Sequence, residues 1–296
     1  MSIVERLANT NVENAFEASE KPTVTAQGPE FNLDFTKLEK GGFYSPDTRD
    51  AQIALELRAV KRRLLRRLGF LRSTGDRQVF RAPGRQKNLI LVTSSRAGEG
   101  KTFSAINLAL SLALEDQIDV LLVDADVPRP KVRSTLGLPM AAGLTDKVLD
   151  QRQDVSSLIW RAQNAPLTFL PEGNRVDHAA DLFSSTASQR LWTELSVMSS
   201  QQLVIIDAPP TLATTEAVVL AKYVDEVIFV VEANATPEPA VAAAVDELLD
   251  VNPNLSLLLN RCLIGSGGSH YGSYEYYNRE PLEAAREAGD ASHEEN

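Results

Sequence analysis

The segment that most constrains this chain runs from Val92 to Thr102 and reads Val-Thr-Ser-Ser-Arg-Ala-Gly-Glu-Gly-Lys-Thr. It follows an apolar run, Leu89–Val92, that predicts a buried strand, and it precedes an apolar segment, Phe103–Leu114, that predicts a helix. A strand, a glycine-rich turn and a helix that opens on Gly-Lys-Thr form the layout of a phosphate-binding loop. Backbone N–H groups can converge on phosphate oxygens only where side chains are small or absent, and the helix N-terminus adds partial positive charge.

Within this loop, Lys101 is expected to reach the β- and γ-phosphates of a nucleotide, and the Thr102 hydroxyl is expected to hold Mg²⁺. The common eight-residue pattern has a glycine five places before Gly100, where this chain has Ser95. The alternative interpretation is therefore a plain strand-to-helix turn with a solvated lysine. The predicted nucleotide contacts in the loop are Arg96, Ala97, Gly98, Glu99, Gly100, Lys101, Thr102 and Phe103.

Two further apolar runs end in acidic residues. Asp124 and Asp126 follow one run, and Asp207 follows the other. Since the carboxyl ends of parallel strands meet at one edge of a sheet, these carboxylates are expected beside the phosphate loop, where they can hold Mg²⁺. One of Asp124 and Asp126 could hold the metal while the other accepts the proton of an attacking hydroxyl. The predicted metal set is Thr102, Asp124 and Asp207, and the predicted catalytic set is Lys101, Asp124 and Asp126.

Residues 88–262 alternate apolar runs with helical patterns. This alternation predicts an α/β fold of the P-loop NTPase class, with a mostly parallel sheet and helices on both faces. Continuous Val, Ile and Leu runs are typical of strands that are covered on both faces. The predicted strands are 89–93, 120–124, 167–170, 203–207, 226–231 and 255–260, and the predicted helices are 103–115, 187–198, 215–222 and 238–249.

Composition divides the chain into three parts. Residues 1–47 are polar and interrupted by Gly and Pro, which predicts a mobile N-terminal arm or linker. Residues 48–264 form the predicted ATPase domain. Residues 265–296 combine Gly and Ser with an acidic end, which predicts a flexible tail. Four of the six tyrosines lie in this tail, at Tyr271, Tyr274, Tyr276 and Tyr277.

The charge of the chain is unevenly distributed. The net charge is −10, yet residues 58–87 carry eleven Lys or Arg and one acid, Asp76. Much of this charge falls on a predicted helix that begins near Thr48 and has an apolar stripe at Ile53, Leu57, Val60 and Leu64. The helix could be a solvated basic helix at the domain edge. It could also dock onto an acidic partner, a neighbouring subunit or anionic lipid.

Net charge, cysteine content and the length of the apolar runs exclude several classes of protein. The negative net charge argues against general nucleic-acid binding, and the single Cys262 excludes an intramolecular disulfide. Apolar runs long enough to span a bilayer are missing from the sequence, and the first residues lack the layout of a signal peptide. We therefore expect a cytoplasmic protein with no disulfide partner.

The phosphate loop, the Asp-x-Asp strand end and the Ile-Ile-Asp-Ala-Pro-Pro strand end, followed by the tyrosine cluster, resemble the bacterial tyrosine kinases. The resemblance covers roughly residues 50–278 and is greatest to the type that accompanies exosortase-linked polysaccharide clusters. Leu55 stands where the interface helix of this family often has Glu.

The resemblance implies an ATP- and Mg²⁺-dependent autokinase that phosphorylates the tail tyrosines of another copy and regulates exopolysaccharide synthesis. It also implies self-association as a dimer or ring, and a peripheral position at the inner membrane through the cytoplasmic segment of an integral-membrane polysaccharide co-polymerase. Asn260 matches a position that often meets the adenine base in related ATPases.

Two alternatives stay open. The chain could be a non-kinase ATPase that positions a partner, as the related partition and cell-division ATPases do, with Arg96 in place of their signature lysine. It could also be a regulatory subunit that binds nucleotide without turnover. The tyrosine cluster favours the kinase over the partner-positioning ATPase, and phosphate on the tail after incubation with Mg-ATP would decide among the three.

Overall fold

A computed structural model describes residues 28–46, 52–70, 87–115, 118–199 and 201–262. Its centre is one sheet with the strand order β1-β4-β5-β3-β6-β2-β7-β8. All neighbouring strands are parallel except β4 and β5. The strands are β1 (Glu30–Phe31), β2 (Leu89–Ser94), β3 (Asp119–Asp124), β4 (Trp160–Ala162), β5 (Leu167–Leu170), β6 (Gln202–Asp207), β7 (Glu226–Glu232) and β8 (Leu255–Asn260).

Helices cover both faces of this sheet. They are α1 (Phe35–Lys40), α2 (Gln52–Arg67), α3 (Lys101–Leu112), α4 (Val132–Thr135), α5 (Leu144–Leu149), α6 (Ala179–Ser184), α7 (Thr186–Val197), α8 (Glu216–Ala221) and α9 (Glu238–Leu249), with a 3-10 turn at Val155–Ser157. Helices α1, α2 and α3 share one core with alternate strand residues such as Ile90 and Val92. Helices α5 to α9 share the other core with Leu89 and Leu91. This alternation follows from the two-residue period of a strand.

The predicted α/β fold is confirmed, and each of the six predicted strands is present within about one residue of its predicted end. The prediction succeeded because strands β2, β3, β5, β6 and most of β7 are buried on both faces. In the register of the sheet, Asp207 lies opposite both Val92 and Asp124. The phosphate loop and the acids at the strand ends therefore lie at the same edge of the sheet.

The prediction of a loosely attached arm is wrong for residues 28–46. This segment adds β1 to the sheet beside β4, and it buries Phe31, Leu38 and Tyr44 in the core. The Tyr44 backbone N–H donates to Asn107 Oδ1 at 2.6 Å, which ties the segment to α3. Its Gly and Pro residues suggested a linker, but its apolar side chains are enough to attach it. Residues 1–27 lie outside the described residues.

The chain divides into a compact unit that ends at Asn260 and a second unit that begins at Arg261. Of the second unit, the structure describes only Arg261 and Cys262. The predicted tyrosine-rich tail over 265–296 therefore lies outside the described residues. Among the helices that are described, none has both the length and the apolar character to cross a membrane.

The attachment of residues 28–46 predicts a stability effect. Leu38 is 3% exposed, so Leu38→Ala is expected to lower the free energy of unfolding by about 2–5 kcal/mol. Leu149, which is 63% exposed, is the matched control. Leu149→Ala is expected to change the free energy of unfolding by less than about 0.5 kcal/mol. Urea unfolding followed by circular dichroism measures both values. Equal unfolding midpoints for the two variants would show that residues 28–46 are attached only loosely.

Candidate functional site

The phosphate loop connects β2 to α3 and bends at two glycines. Gly98 and Gly100 both have φ of 97°, a left-handed conformation that favours glycine. Space is also limited at Gly100, because a Cβ atom there would lie 2.0 Å from Asn260 Nδ2. Both glycines are therefore required by the backbone path.

The loop presents unpaired backbone donors. Within the described residues, the N–H groups of residues 97–100 donate to no acceptor, and the first turn of α3 leaves its own N–H groups free as any helix does. Arg96 is exposed, and its side chain forms no ion pair with a described carboxylate. Converging N–H groups before a helix N-terminus are the expected cradle for phosphate oxygens.

The Lys101 side chain is buried among carboxylates. Its Nζ atom lies 2.5 Å from Asp126 Oδ2 and 3.7 Å from Asp207 Oδ1, and Lys101 is 8% exposed. Burial acts to lower the pKa of the Lys101 ammonium, but the Asp207, Asp126 and Asp124 carboxylates raise it above its ordinary value. The lysine therefore stays charged, and this position close to the loop would let it reach a bound phosphate.

Thr102 and Asp207 form a hydrogen-bonded pair at the start of α3. The Thr102 hydroxyl donates to Asp207 Oδ2 at 2.7 Å, while the buried Asp207 Oδ1 has no hydrogen-bond donor. Burial raises the pKa of Asp207 to about 6, although the Lys101 ammonium and the Thr102 hydroxyl oppose the rise. A buried carboxylate oxygen without a donor, next to a hydroxyl, fits the oxygen ligands that Mg²⁺ prefers.

Asp124 holds the chain that follows β3. Its Oδ1 accepts from the Asp126 backbone N–H at 3.2 Å, and its Oδ2 accepts from the Val132 N–H at 3.0 Å. Burial raises the pKa of Asp124 well above its usual range, and the Asp207 and Glu172 carboxylates add to the rise. Asp124, a member of the predicted metal set, therefore has both oxygens bonded to backbone N–H groups. Asp126 accepts from the Arg129 backbone N–H through Oδ1 at 3.1 Å and contacts Lys101 through Oδ2.

The described residues contain no group of three or more His, Cys, Asp or Glu side chains that could hold a metal by themselves. Mg²⁺ usually keeps several waters and takes one or two carboxylates together with substrate phosphates. Of the predicted metal set, Thr102 and Asp207 have the geometry for such a site.

Two predicted nucleotide contacts have other partners. The Asn260 amide, expected near an adenine base, donates from Nδ2 to the Glu99 backbone oxygen at 2.9 Å. The Phe103 ring packs against Phe43, with centroids 5.0 Å apart, on the face covered by residues 28–46. These side chains support the loop in this structure. Ala97 is exposed in the loop and can contact a nucleotide only through its backbone and methyl group.

Two residues of the site were not predicted from the sequence. Glu172, at the carboxyl end of β5, receives a 2.9 Å bond from Arg133 Nε, and its other oxygen is buried without a donor. The sequence did indicate Glu172, because it is an acid two residues after an apolar strand, as Asp126 is. Thr236, which donates to the Glu99 carboxylate at 2.6 Å, gave no signal, since it lies 137 residues away in sequence.

Comparison with known proteins places this site in a family. The AAA domain family matches residues 87–244. The tyrosine-protein kinase YwqD of Bacillus subtilis is 30% identical over 198 residues, which are 67% of this chain and 81% of that protein. The tyrosine-protein kinase ptk of Acinetobacter johnsonii is 30% identical over 153 residues, but these are 52% of this chain and 20% of that protein.

Solved structures agree with these relatives. The kinase domain of VpsO has a TM-score of 0.60 and 28% identity, with 73% of this chain and 98% of that chain covered. The kinase domain of the Escherichia coli tyrosine kinase ETK has a TM-score of 0.56 over 62% of this chain and 71% of that chain; at 21% identity it is evidence for the fold alone. The chain therefore belongs to the AAA-domain P-loop ATPases and, among these, to the bacterial tyrosine kinase family.

Proposed function

We propose that this protein is an ATP- and Mg²⁺-dependent protein-tyrosine kinase that phosphorylates the tyrosine cluster of another copy of itself. The observation that carries the proposal is the position of Lys101. Its ammonium lies between Asp126 and Asp207, directly after residues 97–100, whose backbone N–H groups have no acceptor among the described residues. A cation and free donors at one sheet edge suit the γ-phosphate of a nucleotide, and the acids beside them suit phosphoryl transfer.

The phosphate loop would bind the phosphates of ATP through the N–H groups of residues 97–100 and the first turn of α3. Lys101 would then exchange its 2.5 Å contact with Asp126 for a phosphate oxygen. Thr102 and Asp207 would hold Mg²⁺, which, when bound, neutralises charge on the phosphates.

The exchange at Lys101 frees Asp126 for the acceptor. The Asp126 Oδ2 atom can then accept the hydrogen bond of a tyrosine hydroxyl and take its proton as the tyrosine oxygen bonds to the γ-phosphorus and the bond to ADP breaks. Asp124 would act through position, because its two oxygens hold the backbone of Asp126 and Val132. The choice left open between the two acids thus favours Asp126 as the proton acceptor.

The acceptors we propose are Tyr271, Tyr274, Tyr276 and Tyr277, and transfer occurs between molecules. About ten residues separate Asn260 from Tyr271, a stretch that extends to at most about 35 Å. Asn260 contacts the phosphate loop through Glu99, so a tail entering its own site would have to fold back tightly. The site of a second copy is the easier target in a dimer or ring.

The helix α2 is the surface that we propose for docking. Six of its residues are Lys or Arg, and one, Glu56, is an acid. We propose that the exposed part of this basic face binds the cytoplasmic segment of an integral-membrane polysaccharide co-polymerase, or a neighbouring kinase, at the inner face of the inner membrane. Phosphorylation adds about −1.5 to −2 charge per tyrosine, which would weaken assembly and switch exopolysaccharide synthesis between states.

The alternative is a partner-positioning ATPase without kinase activity. The exposed Arg96 of the phosphate loop is the feature that favours it, because such a side chain could reach the phosphates of a second molecule. Phosphotyrosine formation separates the two functions, since the alternative predicts ATP hydrolysis without it.

The kinase proposal predicts transfer in trans. A Lys101→Met chain should form no phosphotyrosine by itself, since removing the loop cation is expected to slow transfer by at least about 100-fold. Mixed with an active chain that ends at residue 264, it should become labelled on its tail. The matched control replaces Tyr271, Tyr274, Tyr276 and Tyr277 with Phe in the Lys101→Met chain. Phosphopeptide mass spectrometry measures the label, and its absence from the mixed sample would refute transfer between molecules.

The raised pKa of Asp207 predicts a pH-dependent stability. The folded protein holds this proton up to about pH 6, whereas the ordinary pKa of an Asp is 3.8. Wild-type stability should therefore fall relative to that of Asp207→Asn as the pH rises from 4 to 7. A shift of about two pKa units corresponds to about 3 kcal/mol. Urea unfolding of both proteins across this pH range measures the difference, and a constant difference would contradict the shift.

Docking through α2 predicts the effect of charge reversal. Arg62 and Arg66 are exposed, whereas Arg67 Nε lies 3.0 Å from Glu226 Oε2, so Arg67 is left unchanged to preserve that ion pair. Arg62→Glu with Arg66→Glu should weaken binding to membranes that carry the co-polymerase by at least about 30-fold, since each of the two basic residues contributes about 1 kcal/mol near an anionic surface.

The control for this docking test reverses Lys37 and Lys40 of α1 to Glu, which changes the net charge equally. Both double variants should bind Mg-ATP as the wild type does. Equal membrane recovery of the two double variants would mean that α2 is an ordinary solvated helix.

A further inference from the structure

The side chain of Glu99 is turned into the protein although it belongs to the phosphate loop. Glu99 is 3% exposed, and its carboxylate accepts three hydrogen bonds. Oε1 accepts from Ser95 Oγ at 2.7 Å and from Thr236 Oγ1 at 2.6 Å, and Oε2 accepts from the Arg96 backbone N–H at 2.8 Å. Burying a carboxylate costs free energy unless it is hydrogen-bonded in this way. These contacts therefore fix the conformation of the loop.

The partners of Glu99 join the loop to two other parts of the sheet. Thr236 lies in the turn between β7 and α9, and its Oγ1 also accepts from the Glu232 backbone N–H at 3.2 Å. Asn260, at the end of β8, donates to the backbone oxygen of the same Glu99 at 2.9 Å. Glu99 is thus bonded through its carboxylate to the turn after β7 and through its backbone carbonyl to the end of β8.

This arrangement also accounts for Ser95, which stands where the common loop pattern has glycine. Ser95 is completely buried, and its hydroxyl donates a hydrogen bond to the Glu99 carboxylate. The side chains of Ser95 and Glu99 face each other and Thr236. The backbone N–H groups of residues 97–100 remain without acceptors among the described residues.

We propose that Glu99 is a positioning residue, which holds the phosphate loop in its nucleotide-binding curvature through Ser95 and Thr236. The proposal rests on the proposed function only in that the ligand is a nucleotide. It assigns Glu99 no contact with that nucleotide through its side chain, because a carboxylate facing phosphate would be repelled. Ser95 and Thr236 act through Glu99 and belong to the same device.

The test is the affinity of the full chain for Mg-ADP, measured by calorimetry. Thr236→Val removes the hydroxyl that donates to Glu99 while the side chain keeps its shape. We expect it to weaken binding by about tenfold, which is ~1.4 kcal/mol. Thr236→Ser, which keeps the hydroxyl, should bind as the wild type does. Ser95→Ala removes the other hydroxyl and should also weaken binding, so the proposal stays testable if one variant fails to fold.

The matched control is Thr168→Val. Thr168 is 3% exposed and donates to the Val120 backbone oxygen at 2.9 Å inside the sheet, away from the loop. It should lower the melting temperature and leave the affinity for Mg-ADP unchanged. If Thr236→Val and Thr168→Val bind Mg-ADP equally well, Glu99 serves stability alone and the proposal is overturned. A wild-type chain that binds Mg-ADP but forms no phosphotyrosine would refute the kinase activity and leave this proposal to be judged by affinity.

Discussion

One ammonium group, that of Lys101, lies among the buried carboxylates of Asp124, Asp126 and Asp207 at the carboxyl edge of the sheet. Three acids around one cation leave an excess of negative charge when all are ionised. Burial raises the pKa of Asp124 and of Asp207, and repulsion from neighbouring carboxylates adds to both rises. A divalent cation that arrives with nucleotide phosphates would relieve the same excess. The fold brings these groups together because Asp124 and Asp207 end neighbouring strands in register, next to the strand that leads into the loop.

Much of this arrangement could be predicted from the sequence, for reasons that are local. Strands buried on both faces appear as continuous apolar runs, and a Gly-Lys-Thr turn between such a run and a helix is typical of phosphate-binding loops. The strands that were not predicted, β1 and β4, are two and three residues long and carry no such run. These two strands belong to the sheet because β1 pairs with β4, a contact between segments that are far apart in the sequence.

The details of the site depended on contacts between distant residues. Sequence alone leaves the choice between Asp124 and Asp126 open, and our proposal of Asp126 rests on the Lys101 contact that a phosphate could replace, whereas both Asp124 oxygens are bonded to backbone N–H groups. The role of Glu99 also required the structure, because Thr236 becomes its neighbour only through the sheet. The candidate site is therefore a set of strand ends whose residue types can be predicted from the sequence, whereas the contacts among these residues depend on the fold.

The central claim is that ATP takes Lys101 away from Asp126 and thereby frees Asp126 for the tyrosine. Calorimetric titration of Mg-ATP into the wild type and into Asp126→Asn, paired with phosphotyrosine formation by the same proteins, tests it most directly. Because the neutral amide no longer competes for the ammonium, Asp126→Asn should bind Mg-ATP about tenfold more tightly. Transfer to tyrosine should nevertheless fall by at least about 100-fold. Weaker binding of Mg-ATP by Asp126→Asn, or an unchanged rate of transfer, would contradict the claim.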